Sequence, residues 1–263
     1  MIQFPFCSLV AAGGTGEMYS LSPGENVEVV RRSVAAVNGK MPVIGGIGFN
    51  ARIASEMARE MEKAGADALL VMPPYYVNAP WDGLLEYYAA VGKASGLPLA
   101  IYSRDWAVFT PEMVARLAEK VPTLQIWKDG QGDTRKYQRI MAKVGDRLAW
   151  IGGIGDDCIA GYFAIGVQGY TSSISNVAPK LALALGEAGM KRDFPTLNAM
   201  LNKYVHPLYA MRDRKRGYEV SVMKTMMDLM GLKGGPVRPP LEDVNPAEAG
   251  MIQELVELYK DYV

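Results

Sequence analysis

The chain has 263 residues, 49% of them hydrophobic, and its 28 Lys and Arg balance 28 Asp and Glu. That neutrality leaves no basic footprint for nucleic acid or an acidic membrane, and no apolar stretch approaches the ~18 residues of a membrane span. Two cysteines, Cys7 and Cys158, and a single histidine, His206, are too few for a disulfide framework or a zinc cluster.

No metal and no cofactor are therefore expected, and Ser-His-Asp or Cys-His catalysis would rest on His206 alone. The N-terminus lacks a basic leader ahead of its apolar part and does not read as a signal peptide. The expectation is a cytoplasmic protein without nucleic-acid or membrane partners.

Leu9–Ala12 is a short apolar run closed by Gly13-Gly14. Ser22-Pro23-Gly24-Glu25 opens an amphipathic helix over Asn26–Val37, with Ser as cap and Pro at the first helical position. Pro42–Gly46 predicts a second strand, Ala51–Ala64 a helix, and Ala68–Met72 a third strand stopped by Pro73-Pro74. Helix Trp81–Ser95 leads to strand Leu97–Tyr102, and Thr110-Pro111-Glu112 caps a helix running to Lys120. The stretch Thr123–Gly132, T-L-Q-I-W-K-D-G-Q-G, carries a fifth strand that delivers Lys128 at its end before Asp129-Gly130 breaks it. Asp133–Val144 predicts a helix, Leu148–Gly152 a strand, Ile159–Ile165 a helix, and Gly169–Ser173 a seventh strand. Beyond Ala178 only helices follow: Lys180–Ala188, Phe194–Met211, Val220–Met230 and Pro246–Tyr259.

Apolar strands alternating with helices predict the α/β class, a parallel sheet with helices outside. Gly13–Gly16 has no acidic ribose ligand at the end of a following strand, which favours a TIM-type (β/α) barrel over an open dinucleotide-binding sheet. The barrel is expected over residues 1–178, with a C-terminal helical appendix over residues 179–263.

In such a barrel the active site lies at the C-terminal ends of the strands. Those ends collect Gly13–Glu17, Tyr75-Tyr76, Tyr102–Asp105, Lys128-Asp129, Gly152-Gly153 and Thr171–Ser173. A lysine is rarely buried and costly to desolvate. At a buried strand end it is either paired or neutralised, and the neutral amine is the nucleophile that forms a Schiff base with a ketone. The alternative is a lysine snorkelling into solvent. The loop Gly13–Gly16 can present amides and the Thr15 hydroxyl to an anion, or serve as a tight turn. Tyr102 can relay protons at the carbinolamine and imine, or anchor the strand end by one hydrogen bond. Arg104 suits a carboxylate fork, or is a solvated charge. Trp127 and the methionines Met223, Met226, Met227 and Met230 read as core.

Six motifs, in this order, resemble the dihydrodipicolinate synthase/N-acetylneuraminate lyase family of class I Schiff-base lyases. They are G-G-T-G-E (13–17), P-P-Y-Y (73–76), I-Y-S-R (101–104), I-W-K-D-G (126–130), S-N-V-A-P (175–179) and G-G-P-V-R-P-P (234–240). The resemblance implies that Lys128 forms the imine, that Tyr102 is its acid–base partner, and that Gly14 and Thr15 belong to the carboxylate loop. It implies that Tyr76 matches a tyrosine contributed by a neighbouring subunit in some members, and that Thr171 and Ser172 finish the pocket. The substrate would be a small 2-oxo acid and the protein a homo-oligomer, a dimer or tetramer.

Within the family, Y-S-R-D and K-D-G look most like 5-dehydro-4-deoxyglucarate dehydratase, which removes water and carbon dioxide to give 2,5-dioxopentanoate. A pyruvate-dependent aldolase or dihydrodipicolinate synthase-like enzyme is one alternative. Another is an inactive truncated paralogue that binds a sugar acid or assembles with a partner. Two departures stand out. Gly14 replaces a threonine of the family's proton relay, and the family has a strand and helix ahead of its G-T-T-G-E strand. The expectation is thus a (β/α)8 barrel lacking most or all of its first βα unit, with exposed strand edges.

Overall fold

In the computed structural model, which describes residues 1–263, strands form where apolar runs are buried on both faces. β2 (Val43–Ile47), β3 (Ala68–Val71) and β4 (Leu99–Ser103) are buried at every position, as parallel strands covered by helices must be. Packing divides the chain into two compact units, Phe4–Ile154 and Gly155–Val263.

The first unit holds β1 (Leu9–Ala11), α1 (Pro23–Val37), β2, α2 (Ala51–Lys63), β3, α3 (Trp81–Ala94), β4, α4 (Pro111–Lys120), β5 (Leu124–Asp129), α5 (Thr134–Val144) and β6 (Ala149–Gly152). Each strand pairs in parallel with the next, and β1 lies at the edge beside β2. Local chemistry starts the helices. The Ser22 hydroxyl accepts from the Glu25 amide while the Glu25 carboxylate accepts from the Ser22 amide, a capping box ahead of Pro23. Asn50, Thr110 and Asp133 cap α2, α4 and α5 through their side-chain oxygens.

Register positions the chemistry. On β4 and β5, Ile101 lies opposite Trp127, Tyr102 opposite Lys128 and Ser103 opposite Asp129. Because side chains alternate along a strand, Tyr102 and Lys128 share one face and Trp127 takes the other. There Trp127 is fully buried, edge-on to Phe109 at 5.0 Å between ring centres. Met18, Ile44, Leu70, Met72, Ala100 and Tyr102 form the cluster on the Tyr102 side.

The second unit holds α6 (Ile159–Ala164), β7 (Gly169–Tyr170), α7 (Pro179–Met190), α8 (Phe194–Met200), α9 (His206–Arg212), α10 (Tyr218–Leu229) and α11 (Ala249–Tyr259). Two expectations change here. The strand expected over Gly169–Ser173 ends at Tyr170, because the Ser172 and Ser173 hydroxyls both turn to the buried carboxylate of Asp156. The helix expected over Phe194–Met211 is broken by a π turn at Leu201–Val205. Pro207 has no N–H for the carbonyl of Lys203, so the ladder widens there. Ile159, Phe163 and Ile174 share one core with Leu185, Leu201, Met223 and Ile252. Packing therefore divides the chain after Ile154, whereas helix content alone suggests Ala178.

Candidate active site

Lys128 is the second-to-last residue of β5, and it is 6% exposed. Its Nζ donates to the carbonyl of Gly153 at 3.0 Å and sits 3.0 Å from the centre of the Tyr102 ring. The Tyr102 hydroxyl donates to the same Gly153 carbonyl at 2.7 Å. One backbone oxygen after β6 therefore gathers the amine and the phenol.

Glycines make this gathering possible. A Cβ on Gly153 would lie 2.6 Å from Lys128 Cε and 2.7 Å from its Cγ, so the lysine side chain fills the space a larger residue would need. A Cβ on Gly130 would lie 2.5 Å from the Tyr102 ring and 2.9 Å from the Ser103 carbonyl oxygen. That carbonyl accepts the Gly130 amide at 2.7 Å, and the carboxylate of Asp129 accepts the Gly132 amide at 3.0 Å. The K-D-G sequence is thus a turn that brings the chain across the end of β4 beneath Tyr102.

Burial holds the Lys128 ammonium form well below its usual range, and the Arg104 charge pushes the same way. The Tyr102 ring face and the Asp129 carboxylate favour the cation, but they are outweighed by the loss of water. The balance shifts toward the neutral amine, whose lone pair is the nucleophile. Burial raises the Tyr102 phenol to about 12, with Arg104 opposing, so near neutral pH Tyr102 keeps its proton and can donate it.

Arg104 reaches over this pair. Its Cζ lies 5.3 Å from the centre of the Tyr102 ring, its Nε donates to Asp105 at 2.7 Å, and a Cβ on Gly14 would meet its Nη1 at 2.7 Å. Lys128, Tyr102, Arg104 and Gly14 are thus brought together in the first unit. Thr15 is exposed on the same glycine loop. Tyr76, 78% exposed beside Tyr75, projects from the loop after β3 and is not drawn into this group. Thr171 and Ser172 belong to the second unit, where Ser172 donates to Asp156 and its own oxygen accepts from the Ser175 amide. No group of three or more His, Cys, Asp or Glu could hold a metal ion.

Gly153 was visible in the sequence only as half of a Gly-Gly pair after a strand. A backbone carbonyl leaves no residue-type signal, although a glycine after a strand can mark a place where a neighbouring side chain takes the room, as Lys128 does at Gly153. Asp105 has an equally faint signal, an acidic residue following the arginine it holds.

With this geometry in place, comparison with known proteins is informative. The sequence model of the "Dihydrodipicolinate synthetase family" matches residues 2–258. A Bradyrhizobium sp. (strain BTAi1) protein named "Probable 5-dehydro-4-deoxyglucarate dehydratase" is 42% identical over 97% of this chain and 82% of its own length. A Saccharopolyspora erythraea protein of the same name is 41% identical over 97% of this chain and 83% of its own length. The crystal structure of dihydrodipicolinate synthase from Oceanobacillus iheyensis superposes with a TM-score of 0.91 at 26% identity, covering 99% of this chain and 87% of that one. The TIM-type α/β fold with C-terminal helices is therefore shared, and the chain belongs to the dihydrodipicolinate synthetase family.

Proposed function

We infer that the protein is a class I lyase that forms a Schiff base and acts as a 5-dehydro-4-deoxyglucarate dehydratase. The observation that carries this reading is the buried, desolvated amine of Lys128, held with the Tyr102 phenol on one carbonyl. The relatives above 40% identity bear the dehydratase name, which favours it over a pyruvate-dependent aldolase or synthase.

Lys128 Nζ attacks the ketone carbon beside a carboxylate, and the carbinolamine loses water to leave an imine. Tyr102, protonated at neutral pH, supplies the proton to the departing hydroxyl. The imine acidifies the adjacent CH2. Loss of one of its protons gives an enamine, which expels the hydroxyl on the next carbon as water. The conjugated imine then accepts the electron pair released when the far carboxylate leaves as carbon dioxide. Reprotonation and hydrolysis of the imine free 2,5-dioxopentanoate and the amine. Net, the dianion and one proton give the product monoanion, one water and one carbon dioxide.

The exposed pair Tyr75 and Tyr76 supports association with a second copy of the chain, and the two thiols, Cys7 and Cys158, fit a cytoplasmic enzyme. Incubation with 5-dehydro-4-deoxyglucarate tests the reading. Equal amounts of carbon dioxide and 2,5-dioxopentanoate are expected, with proton uptake and a borohydride-trapped adduct on Lys128 in the mass spectrum. Turnover without carbon dioxide, or an adduct elsewhere, would overturn it.

A further inference from the structure

The glycines of the loop after β1 differ in what they make room for. At Gly16 a Cβ would press on backbone, 2.8 Å from the Gly13 nitrogen and 3.2 Å from Ala12 Cα, so the turn itself excludes a side chain. Gly14 is different. Its φ lies outside the left-handed region, so no left-handed backbone requires glycine there. The atoms that would meet its Cβ belong to Arg104, with Nη1 at 2.7 Å and Cζ at 3.9 Å.

The vacant side-chain position is thus filled by a guanidinium arriving from the loop after β4. Asp105 holds that guanidinium from behind through Nε at 2.7 Å. Asp105 itself adopts a left-handed conformation, φ 51°, which aspartate tolerates better than most residues.

Resting on the imine chemistry above, we propose that Gly14 and Arg104 are a matched pair: the bare Cα admits the guanidinium, and the guanidinium grips the carboxylate beside the reacting ketone. Reach supports that assignment. Arg104 Cζ and Lys128 Nζ lie 5.3 and 3.0 Å from the same ring centre, so they are no farther apart than the sum of those distances. A carboxylate on the imine carbon sits about 2.5 Å from the nitrogen by ordinary bond lengths, and a guanidinium fork adds about 4 Å. That span, about 6.5 Å, is compatible with a separation bounded above at about 8 Å. A carboxylate at the other end of an extended six-carbon chain needs a longer one. Beside the larger effect of burial, the same positive charge disfavours an ammonium at Lys128, so one residue would both hold the substrate anion and favour the neutral amine.

A double-mutant cycle on Gly14→Ala and Arg104→Ala tests the pairing, read as KM and kcat for the diacid. Half-saturation of borohydride trapping by pyruvate, which carries only the carboxylate beside its ketone, gives the second readout. Each single substitution is expected to raise both half-saturation values about 10–100-fold, the scale of a lost charge-assisted fork, with a smaller change in kcat. The double variant should be no weaker than Arg104→Ala, because the alanine at 14 acts only by displacing the guanidinium. Arg104→Lys should recover part of the loss, since lysine keeps the charge without the fork.

Unchanged pyruvate half-saturation in Arg104→Ala, or single effects that multiply in the double variant, would overturn the pairing while the imine reading stands. Absence of any adduct in the parent protein would sink the imine reading, and the pairing with it. The clash at Gly14 is with the flexible end of a side chain, so Gly14→Ala is expected to melt like the parent. If it fails to fold, the pyruvate result for Arg104→Ala still decides.

Discussion

Lys128 in the first unit is 6% exposed and Arg212 in the second is 7% exposed, yet their surroundings differ in kind. Lys128 meets a carbonyl, a phenol ring and the positive charge of Arg104. Arg212 donates through Nη2 to Ser173 Oγ at 2.7 Å and lies 4.9 Å from the Tyr209 ring centre. Ser173 passes that contact on to Asp156 at 3.4 Å. Asp156 is 1% exposed, its carboxyl pushed up by burial and drawn back by Ser172 and Arg212, and its amide donates to the Tyr209 hydroxyl at 2.7 Å. A guanidinium cannot shed its proton inside a protein, so its burial requires compensating polar groups. An ammonium can, so burial with few compensating groups converts it to a nucleophile. The same exposure thus goes with a hydrogen-bonded network in one unit and with an amine pushed toward its neutral form in the other.

The largest effect should come from exchanging the two kinds of cation. Lys128→Arg restores a side chain that cannot be deprotonated. It should abolish both borohydride trapping and turnover, as should Lys128→Ala, with circular dichroism unchanged. Trapping that persists on another lysine would break the comparison. Next in size, Tyr102→Phe keeps the ring under the amine but loses the proton. Turnover should fall about 10²–10⁴-fold with substrate binding retained, and a rate within a few-fold of the parent would mean another group donates. In the second unit, Arg212→Met removes one member of a buried charged network, and a urea midpoint series should show a loss of about 3–5 kcal/mol. A loss below about 1 kcal/mol would show that the network is weakly coupled.

The last effect has the opposite sign. In the folded protein Lys128 titrates below its ordinary 10.5. Between those two values the unfolded chain binds the extra proton, and stability rises with pH. Lys128→Met removes this cost. It should melt above the parent near neutral pH. The advantage should fade as pH approaches 10.5. Equal stability at all pH values would mean that the ammonium is not disfavoured.

The contrast also explains what could be read from residue types. The apolar run before Lys128, and the placing of Tyr102 at a neighbouring strand end, follow from periodicity, since strands buried on both faces advertise themselves. Register then supplies the pairing of Tyr102 with Lys128 without further information. The Gly153 carbonyl could not be read, because every residue has one and only the fold shows which is aimed inward. Gly14 appeared as a loop glycine, and that its vacancy belongs to Arg104 depends on two loops meeting. In the second unit Ser172 and Ser173 looked like strand residues. What took them out of the ladder is Asp156, a carboxylate whose burial nothing local in D-D-C announces. Pro207 lies inside the helix expected over Phe194–Met211, and its missing N–H widens the ladder into a π turn rather than ending the helix.

The central claim is that burial makes Lys128 a neutral amine before any substrate arrives. Its direct measurement is the initial rate of imine trapping with pyruvate as a function of pH, extrapolated to low pyruvate so that the free enzyme is titrated. The account predicts a rate that has reached its plateau well below the ordinary lysine value of 10.5, with a lower midpoint than that of Arg104→Ala shifted upward. A rate that keeps climbing tenfold per pH unit until about 10.5 would contradict it.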